Sequence, residues 1–397
     1  MEPKIRYNGY TNKWDDVCLN DIVSTAGIKN RENLPLVSFS ITNDQGFVPQ
    51  DDKFENGGTM RDANKSMYYI VSPKTFAYNP ARINVGSIGY YDLEKDVIIS
   101  SLYVVFKTDQ EKCDDYYFLQ WFKSDKFKRL IEQYQEGGVR LYFFYDKLCK
   151  CHVHIPSKEE QHKISSYFRV LDFKLQASAK KLESLKKLKS ASLVAMFPQN
   201  GESMPKVRFK GFEGEWDKQS ASDLFLTIDE RNRPELPVLS ACQDVRGMIP
   251  RDKIGFNVSH DTSNEVTYKR VQPGQFVIHL RSFQGGFAHS SYDGIISPAY
   301  TVFDFKNKEQ HDDYYWKIVF MSRSFIERLR LITYGIRDGR SISFNEFKEL
   351  SFLFPSKEEQ QAIASFFRTL NRKIALETAR LEKLKQIKLA CLDKMFV

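Results

Sequence analysis

The chain has 397 residues, of which 42% are apolar, 14% aromatic and 28% charged. This length and apolar content favour two or more domains with their own cores, and 31 Phe with 20 Tyr argue against disorder. The net charge of +8 permits a nucleic-acid surface without requiring one. Six irregularly spaced Cys indicate reduced thiols and a cytoplasmic setting. No apolar run approaches the ~18 residues that a membrane helix needs, and the N-terminus lacks a signal region.

The opening segment of the chain recurs in its second half. Residues 4–14 and 206–216 share the pattern K-x-R-[FY]-x-G-[FY]-x-x-x-W, at an offset of 202 residues. Residues 156–161 and 355–360 both read PSKEEQ, at an offset of 199. The small drift predicts a tandem duplication in which each half is a globular domain followed by a helix. The predicted boundaries are 1–155 and 200–354 for the domains, and 156–199 and 355–397 for the helices.

The globular parts contain short apolar runs that predict strands, at residues 36–41 and 97–106 in the first half and 238–239 and 300–303 in the second. A shorter helix is predicted after Asp114 and another after Asp312, and a final strand leads into each long helix. We therefore predict an α/β (α+β) fold with mixed or antiparallel sheets. The pattern does not predict the strand order. The interiors of the two domains match poorly, which is consistent with loop drift or with two different recognition surfaces.

Each PSKEEQ motif opens a long charged segment that reads as one helix. The serine suits a helix cap, and the glutamate three residues later predicts a capping box. About 40 residues at a rise of ~1.5 Å would form a rod of roughly 60 Å. Apolar residues at steps of three and four predict a coiled-coil seam between the two helices, antiparallel if the halves are related by a pseudo-twofold axis. The seam slips near Leu188 and Ile387. Its residues are Ile164, Phe168, Leu171, Leu175, Leu182, Leu185, Ile363, Phe367, Leu370, Ile374, Leu381 and Leu384.

Motifs for catalysis are missing from the sequence. It has no G-x-x-x-x-G-K-[ST] phosphate loop and no G-x-G-x-x-G dinucleotide fingerprint. Asp51, Asp52 and Lys53 lie in a Gly-rich turn region, where a nuclease carboxylate set is not expected. A zinc site is conceivable at 149–154, which reads CKCHVH, yet the matched positions in the second half carry no ligands. We therefore predict no catalytic residue and no metal.

Basic residues are the better candidates for function. Arg140 and Arg340 follow glycines in loops at corresponding places, where a guanidinium can reach a phosphate or a guanine edge. A structural ion pair is the alternative. Further candidate DNA contacts are Lys53, Arg82, Tyr142, Arg281 and Arg337. The Lys-rich stretch 174–189 is either a solvated helix face or a surface for an acidic partner or for phosphates.

The duplicated opening motif, the P-x-x-x-E-Q helix start and the Leu/Lys helix ending in Met-Phe together resemble the specificity (S) subunit of Type I restriction-modification systems. The resemblance covers essentially the whole chain. One departure is that the chain begins almost at the opening motif, which is expected to weaken slightly the contacts that circularise the two halves.

The resemblance implies a subunit without chemistry of its own. Each globular part would be a target recognition domain that reads one half of a bipartite double-stranded DNA site. The paired helices would set the gap and dock two modification (M) subunits, which bind S-adenosylmethionine and methylate adenine. Restriction (R) subunits would add ATP- and Mg-dependent translocation and cleavage. No cofactor is expected in this subunit, and no membrane.

Two other functions remain open from the residues alone. A coiled-coil scaffold that never touches DNA would account for the helices but not for the aromatic-rich domains and their Gly-Arg loops. A nuclease would need a carboxylate or metal site that the sequence does not provide.

Overall fold

The computed structural model describes residues 2–50, 64–138, 140–199, 201–242, 247–253, 262–279, 286–332 and 342–397. The chain divides into two compact units. Unit 1 comprises Met1–Lys180 and Thr378–Val397, and unit 2 comprises Lys181–Glu377. Each long helix therefore begins in one unit and ends in the other.

Unit 1 carries the first set of strands and helices. In chain order these are β1 (Asp15–Cys18), β2 (Val23–Thr25), β3 (Ile28–Lys29), β4 (Ser38–Thr42), β5 (Gly46–Pro49), β6 (Tyr69–Val71), β7 (Thr75–Tyr78), β8 (Ile88–Tyr91), β9 (Val97–Ile99), β10 (Val104–Thr108), α1 (Asp115–Trp121), α2 (Asp125–Tyr134), α3 (Tyr145–Cys149), β11 (His152–Ile155) and the first long helix α4 (Lys158–Ala195).

Unit 2 repeats this plan. Its elements are β12 (Asp217–Ser220), α5 (Ala221–Leu224), β13 (Phe225–Ile228), β14 (Leu239–Cys242), β15 (Gly247–Pro250), β16 (Lys269–Val271), β17 (Phe276–Ile278), β18 (Phe287–Ser290), β19 (Gly294–Ile296), β20 (Thr301–Phe305), α6 (Asp313–Met321), α7 (Arg323–Ile332), α8 (Phe344–Lys348), β21 (Ser351–Phe354) and the second long helix α9 (Lys357–Lys394).

The sheets are mixed, as predicted. Unit 1 has an antiparallel sheet in the order β2-β10-β7-β8 and a second sheet in the order β3-β6-β9-β4-β5, in which β4 and β9 are parallel. Unit 2 has a six-stranded sheet in the order β13-β20-β17-β18-β15-β14, with β15 parallel to β18. In both units the strand after the opening motif pairs antiparallel with the strand before the long helix, β1 with β11 and β12 with β21.

Aromatic side chains fill the largest core of each unit. In unit 1, Phe76, Phe106 and Trp121 are buried together with Phe168 of α4 and Phe396 from just beyond α9. In unit 2 the corresponding core contains Phe225, Phe303 and Trp316 with Phe367 and Phe197. The shorter helices form where predicted, because the Asp114 and Asp312 carboxylates cap α1 and α6 by accepting the N–H of the third residue on, each at 2.9 Å.

The two long helices pack against each other in antiparallel orientation, as predicted. In unit 1 the early part of α4 meets the end of α9, where the Tyr167 hydroxyl lies 3.4 Å from Cys391 Sγ and the Phe168 and Phe396 rings stack at 5.9 Å. In unit 2 the segment just beyond α4 meets the early part of α9, where the Phe197 and Phe367 rings lie 6.2 Å apart. Nearer the middle of both helices, Lys181 and Glu377 form an ion pair of 2.8 Å. No helix among the described residues is long and apolar enough to cross a membrane.

The twelve seam positions are all buried or partly buried, whereas Leu188 and Ile387 are 49% and 37% exposed. Ile164, Phe168 and Leu171 belong to the core of unit 1, and Ile363 and Phe367 to that of unit 2. The first part of each seam therefore packs on the domain beside it as well as on the other helix.

The opening motifs join the ends of the long helices. The Ile5 N–H donates to the Lys394 carbonyl at 2.9 Å in unit 1, and the Val207 N–H donates to the Ala195 carbonyl at 2.9 Å in unit 2. The chain therefore makes the same contact at its beginning as at the junction between its halves.

One buried position differs in chemistry between the two cores. Cys113 in unit 1 corresponds to His311 in unit 2, just before α1 and α6. His311 stacks on Phe305 at 4.7 Å and meets the edge of Phe354 at 5.2 Å. Burial lowers the pKa of His311 to about 4 and raises that of Cys113 to about 12. Both groups are consequently neutral in the folded protein near pH 7.

Unit 2 is expected to lose stability as the pH falls from 6.5 towards 4, because over this range the unfolded chain binds a proton at His311 that the folded unit excludes. The loss is on the order of 3 kcal/mol. His311→Cys, which copies Cys113, should remove this part of the pH dependence. Urea unfolding followed by Trp fluorescence at several pH values measures the difference, and identical pH slopes for the two proteins would contradict the prediction.

Candidate nucleic-acid interface

A buried ion pair fixes each domain to the start of its long helix. The Arg6 guanidinium donates two hydrogen bonds to Glu160, at 2.8 and 2.9 Å, and Arg208 donates two to Glu359, at 2.8 and 2.6 Å. Both glutamate side chains are only 2% exposed. These bonds raise the pKa of both arginines. The arginine of each opening motif therefore clamps the PSKEEQ motif of the same half.

The predicted capping boxes are half wrong. Ser157 and Ser356 accept the N–H of the residue three positions on, at 3.4 and 3.5 Å. The carboxylates of Glu160 and Glu359 bind the arginines instead of returning to the cap. A guanidinium offers a carboxylate two hydrogen bonds from a charged donor, whereas the cap would offer one from a neutral N–H, so the guanidinium is the stronger partner.

The glutamine of each PSKEEQ motif ties the helix to the cap of the shorter helix. Gln161 Oε1 accepts the Asp114 N–H at 2.9 Å, and its amide donates to the Pro156 carbonyl at 3.0 Å. Gln360 makes the same bonds with Asp312, at 3.0 Å, and Pro355, at 2.8 Å. These hydrogen bonds thus fix the position of each long helix relative to the domain that precedes it.

The loop that carries Arg140 is closed by two backbone hydrogen bonds between Glu136 and Tyr142, of 2.9 and 2.8 Å. Gly137 has φ +137°, and a Cβ there would lie 2.1 Å from the Arg140 carbonyl oxygen, so the turn requires glycine. Arg140 is exposed on this loop, and the ring of the half-buried Tyr142 stacks on Phe144 at 5.4 Å. The loop therefore presents one arginine to solvent from a constrained backbone.

Arg82 lies close to this loop in the fold. It is exposed and precedes a short 3-10 helix at Ile83–Val85. The Phe143 N–H donates to the Pro80 carbonyl at 3.0 Å, which joins the turn carrying Arg82 to the segment after Arg140. The structure thus brings Arg82, Arg140 and Tyr142 to neighbouring loops of unit 1. The other four candidates, Lys53, Arg281, Arg337 and Arg340, lie outside the described residues.

A basic cavity of about 1120 Å³ lies in unit 1 between the domain and the helix pair. Its lining carries four cations and two carboxylates: Lys123, Arg169, Lys385, Lys388, Asp44 and Asp172. Desolvation and the neighbouring Lys388 lower the pKa of Lys123. No sequence motif marks this group, because its members come from four distant segments of the chain.

The matching region of unit 2 lacks one of these two carboxylates. Asp172 accepts a hydrogen bond from the Tyr116 hydroxyl at 2.6 Å and pairs with Lys388 at 2.5 Å. Its counterpart in unit 2 is the neutral Asn371, which donates to the Tyr314 hydroxyl at 3.0 Å. In both units an arginine of the long helix stacks on this tyrosine, Arg169 at 4.1 Å and Arg368 at 4.5 Å.

Other basic residues of unit 2 are neutralised by acids. Arg270 pairs with both Asp293, at 2.7 Å, and Glu230, at 2.9 Å, while Arg231 pairs with Asp229 at 2.6 Å. In the Lys-rich stretch, Lys187 pairs with Glu183 at 2.6 Å. The carboxylate beside each of these cations offsets its positive charge and so weakens its attraction for a phosphate.

Two of the residues considered for zinc, Cys151 and His152, have other partners. His152 Nδ1 lies 3.2 Å from an Asp16 carboxylate oxygen, and Cys151 Sγ donates to the Lys147 carbonyl at 3.4 Å. In the part of the chain that the structure describes, no group of three or more His, Cys, Asp or Glu side chains is arranged to hold a metal ion.

Both halves of the chain match a known family of protein domains. Residues 12–187 and 215–386 each match the model of the Type I restriction modification DNA specificity domain. The chain belongs to the Type I restriction-modification specificity family. Its function is that of a DNA specificity subunit, as the resemblance had implied.

A solved structure of a specificity subunit shares the fold of this chain. The S subunit of a Type I restriction-modification system from M. genitalium is similar over 100% of this chain and 99% of its own, with a TM-score of 0.62 at 15% identity. A second similar chain comes from a structure that describes the assembly and conformational transition of the type I restriction-modification system. The similarity covers 97% of this chain and 98% of that chain, with a TM-score of 0.51 at 14% identity. The HsdS subunit from Thermoanaerobacter tengcongensis is similar over 98% of both chains, with a TM-score of 0.47 at 15% identity. No curated protein sequence matches this chain.

The specificity-subunit scaffold should depend on the clamp between Arg208 and Glu359. Arg208→Ala leaves the Glu359 carboxylate buried without its cation, which should lower the free energy of unfolding by about 3 kcal/mol. Replacing both residues by Met removes the stranded charge and should recover most of the loss.

Arg323→Ala is the matched control, because that side chain is 93% exposed and, among the described residues, pairs with Glu327 on the surface. Its cost should stay within about 0.5 kcal/mol. Urea denaturation of the four proteins decides the matter, and a loss for Arg208→Ala no larger than that of the control would refute the role of the clamp.

Proposed function

We propose that this subunit reads a bipartite double-stranded DNA site, one half with each unit, and performs no chemistry itself. The observation that carries the proposal is a duplicated framework with diverged surfaces. The Arg-Glu clamp, the Gln tie and the helix pair are the same in both units. The groups placed on this framework differ, as Asp172 and Asn371 illustrate. One scaffold that presents two unlike surfaces suits two unlike half-sites.

In unit 1 the reading surface would include Arg140, Tyr142 and Arg82. A guanidinium on a constrained loop suits a bidentate contact with guanine, and a neighbouring basic turn suits a phosphate. In unit 2 the matching roles would fall to Arg340, Arg337 and Arg281, and in unit 1 Lys53 would add a further contact.

The long helices would set the gap between the half-sites. Each has 38 residues, so at a rise of ~1.5 Å its length is roughly 57 Å. A continuous hydrogen-bonded helix is a stiff spacer, and packing against a second helix of equal length stiffens it further.

The helices would also dock two modification subunits. Leu188 and Ile387 occupy equivalent positions and are both exposed, and Lys186 and Lys385 also match. Two identical modification subunits require two similar docking surfaces. The duplication supplies such surfaces around Leu188 and Ile387. S-adenosylmethionine would be bound by those modification subunits, and ATP with Mg by the restriction subunits. Six free cysteines suit a cytoplasmic complex of this kind.

The direct test is to co-express the chain with its modification subunit in a methylation-free host and to map every methylated adenine. The proposal expects a split motif with a fixed gap that is absent without this chain. A stable complex that adds no methylation would instead favour a protein scaffold. Divalent-metal-dependent DNA cleavage by this chain alone would show that it is an enzyme.

Arg140→Ala should weaken binding to the mapped site by about 1–3 kcal/mol and relax the preference at one base pair of one half-site, if Arg140 contacts a base. A phosphate contact would instead weaken binding to all sequences and reduce the slope of log K against log salt by about one. Fluorescence anisotropy on site variants at several salt concentrations separates the two. Unchanged affinity and preference would remove Arg140 from the interface.

Leu188→Glu and Ile387→Glu together should reduce the number of modification subunits that copurify with the chain, because each places a charge in an apolar contact. Leu389→Ser serves as the control. Leu389 is also exposed, but its counterpart in the other half is Ser190, so it belongs to no repeated surface. Mass measurement by light scattering gives the stoichiometry. Full occupancy in the double variant, or equal loss in the control, would contradict this docking site.

A further inference from the structure

Unit 2 contains a cavity that the reading and docking roles do not use. Its volume is about 310 Å³. It lies between the segment that follows α4, the pair β12 and β21, and the junction of α6 with α7. Its polar lining consists of Arg328, Lys218, Gln199, Ser322, Ser324 and Glu202.

The Arg328 guanidinium is the central feature of this cavity. It is partly buried, lies over the Phe352 ring at 5.3 Å and donates one hydrogen bond to the Ser351 carbonyl. Among the described residues no carboxylate pairs with it. Burial alone lowers the pKa of Arg328, yet an arginine stays charged in proteins. Most of its five N–H donors therefore have no protein acceptor among the described residues.

The other polar groups add donors. Lys218 of β12 also lines the cavity and carries an ammonium group. Trp216 lines it too, and its indole N–H is buried without an acceptor among the described residues. Glu202 is the single acid of the lining. It already accepts the Gln199 N–H at 3.1 Å and lies 3.8 Å from Lys206. The lining thus carries two cations and one carboxylate, and that carboxylate already has partners.

The equivalent positions in unit 1 lack this chemistry. Arg328 corresponds to Leu130, which packs on the core of unit 1, and Lys218 corresponds to Asp16, which faces His152 at 3.2 Å. Trp14 shows the same unpaired indole N–H as Trp216, so the indole does not distinguish the halves. Arg328 and Lys218 do, which shows that the fold does not require two cations here.

We propose that this cavity binds the phosphate group of a small molecule, either inorganic phosphate or a mononucleotide. A tetrahedral oxyanion offers several acceptors at once, and a guanidinium with a nearby ammonium supplies matching donors and charge. A cavity of this size admits such a group but not a duplex. The bound anion would link the segment after α4 to β12, β21 and α7, and so stiffen the junction between the first long helix and unit 2.

Isothermal titration calorimetry of the full chain with sodium phosphate, against sodium chloride at equal ionic strength, tests the proposal. One saturable site is expected. Arg328→Leu and Lys218→Asp, which copy unit 1, should each weaken it at least tenfold while circular dichroism stays unchanged. Arg323→Leu, which removes an exposed arginine of the same helix, should have no effect.

Titrations with AMP and with acetate identify the ligand class. Tighter binding of AMP than of phosphate would indicate a nucleotide as the source, and equal binding would indicate the free anion. Acetate that binds as well as phosphate would overturn the assignment to phosphate. No saturable site, or a site that survives both unit 1 substitutions, would overturn the proposal. None of these results depends on DNA reading, so the proposed function is tested separately.

Discussion

The burial of one glutamate at the start of each long helix is the constraint on which the rest of the structure depends. A carboxylate that is 2% exposed must have a cation, and Arg6 and Arg208 supply it from the opening motif of the same half. That single requirement brings together the beginning of a domain and the helix that follows its last strand. The neighbouring glutamine then fixes the shorter helix to the same place. This explains why the PSKEEQ and opening motifs are so similar in both halves while the domain interiors have diverged.

The features that could be predicted from the sequence are those with local or repeated signals. The long helices, their seam, the Asp-capped shorter helices and the mixed sheets follow from periodicity, caps and the duplication. The strand order could not be predicted, because neighbours such as β15 and β18 are joined only by distant pairing. The glutamate half of the first capping box was wrong because Arg6, 154 residues from Glu160, is a stronger partner for that carboxylate than the local backbone. Glycines revealed the loop of Arg140, but no local pattern revealed the basic cavity or the environment of Arg328.

The comparison of equivalent positions shows how a duplicated scaffold acquires two chemistries. Tyr90 donates to the buried Asp115 in unit 1 at 2.7 Å, whereas His289 lies 2.5 Å from Asp313 in unit 2, where it lowers the pKa of that carboxyl. The backbone accommodates either partner because the carboxylate needs only a donor at that point. Each such exchange alters charge or titration without disturbing the clamp, so the two surfaces are free to change independently.

The distribution of each core between distant parts of the chain also governs the order of folding. Phe168 and Tyr117 of unit 1 pack against Phe396, and Leu392 and Met395 complete the same core. During synthesis the first domain leaves the ribosome long before these residues are made. Its apolar surface therefore stays uncovered while more than two hundred further residues are synthesised. Contacts at such sequence separation form slowly, because the loop between them must first be closed. A nascent specificity subunit would therefore expose this aromatic surface until translation reaches the end of α9, which makes it a substrate for chaperones at that stage.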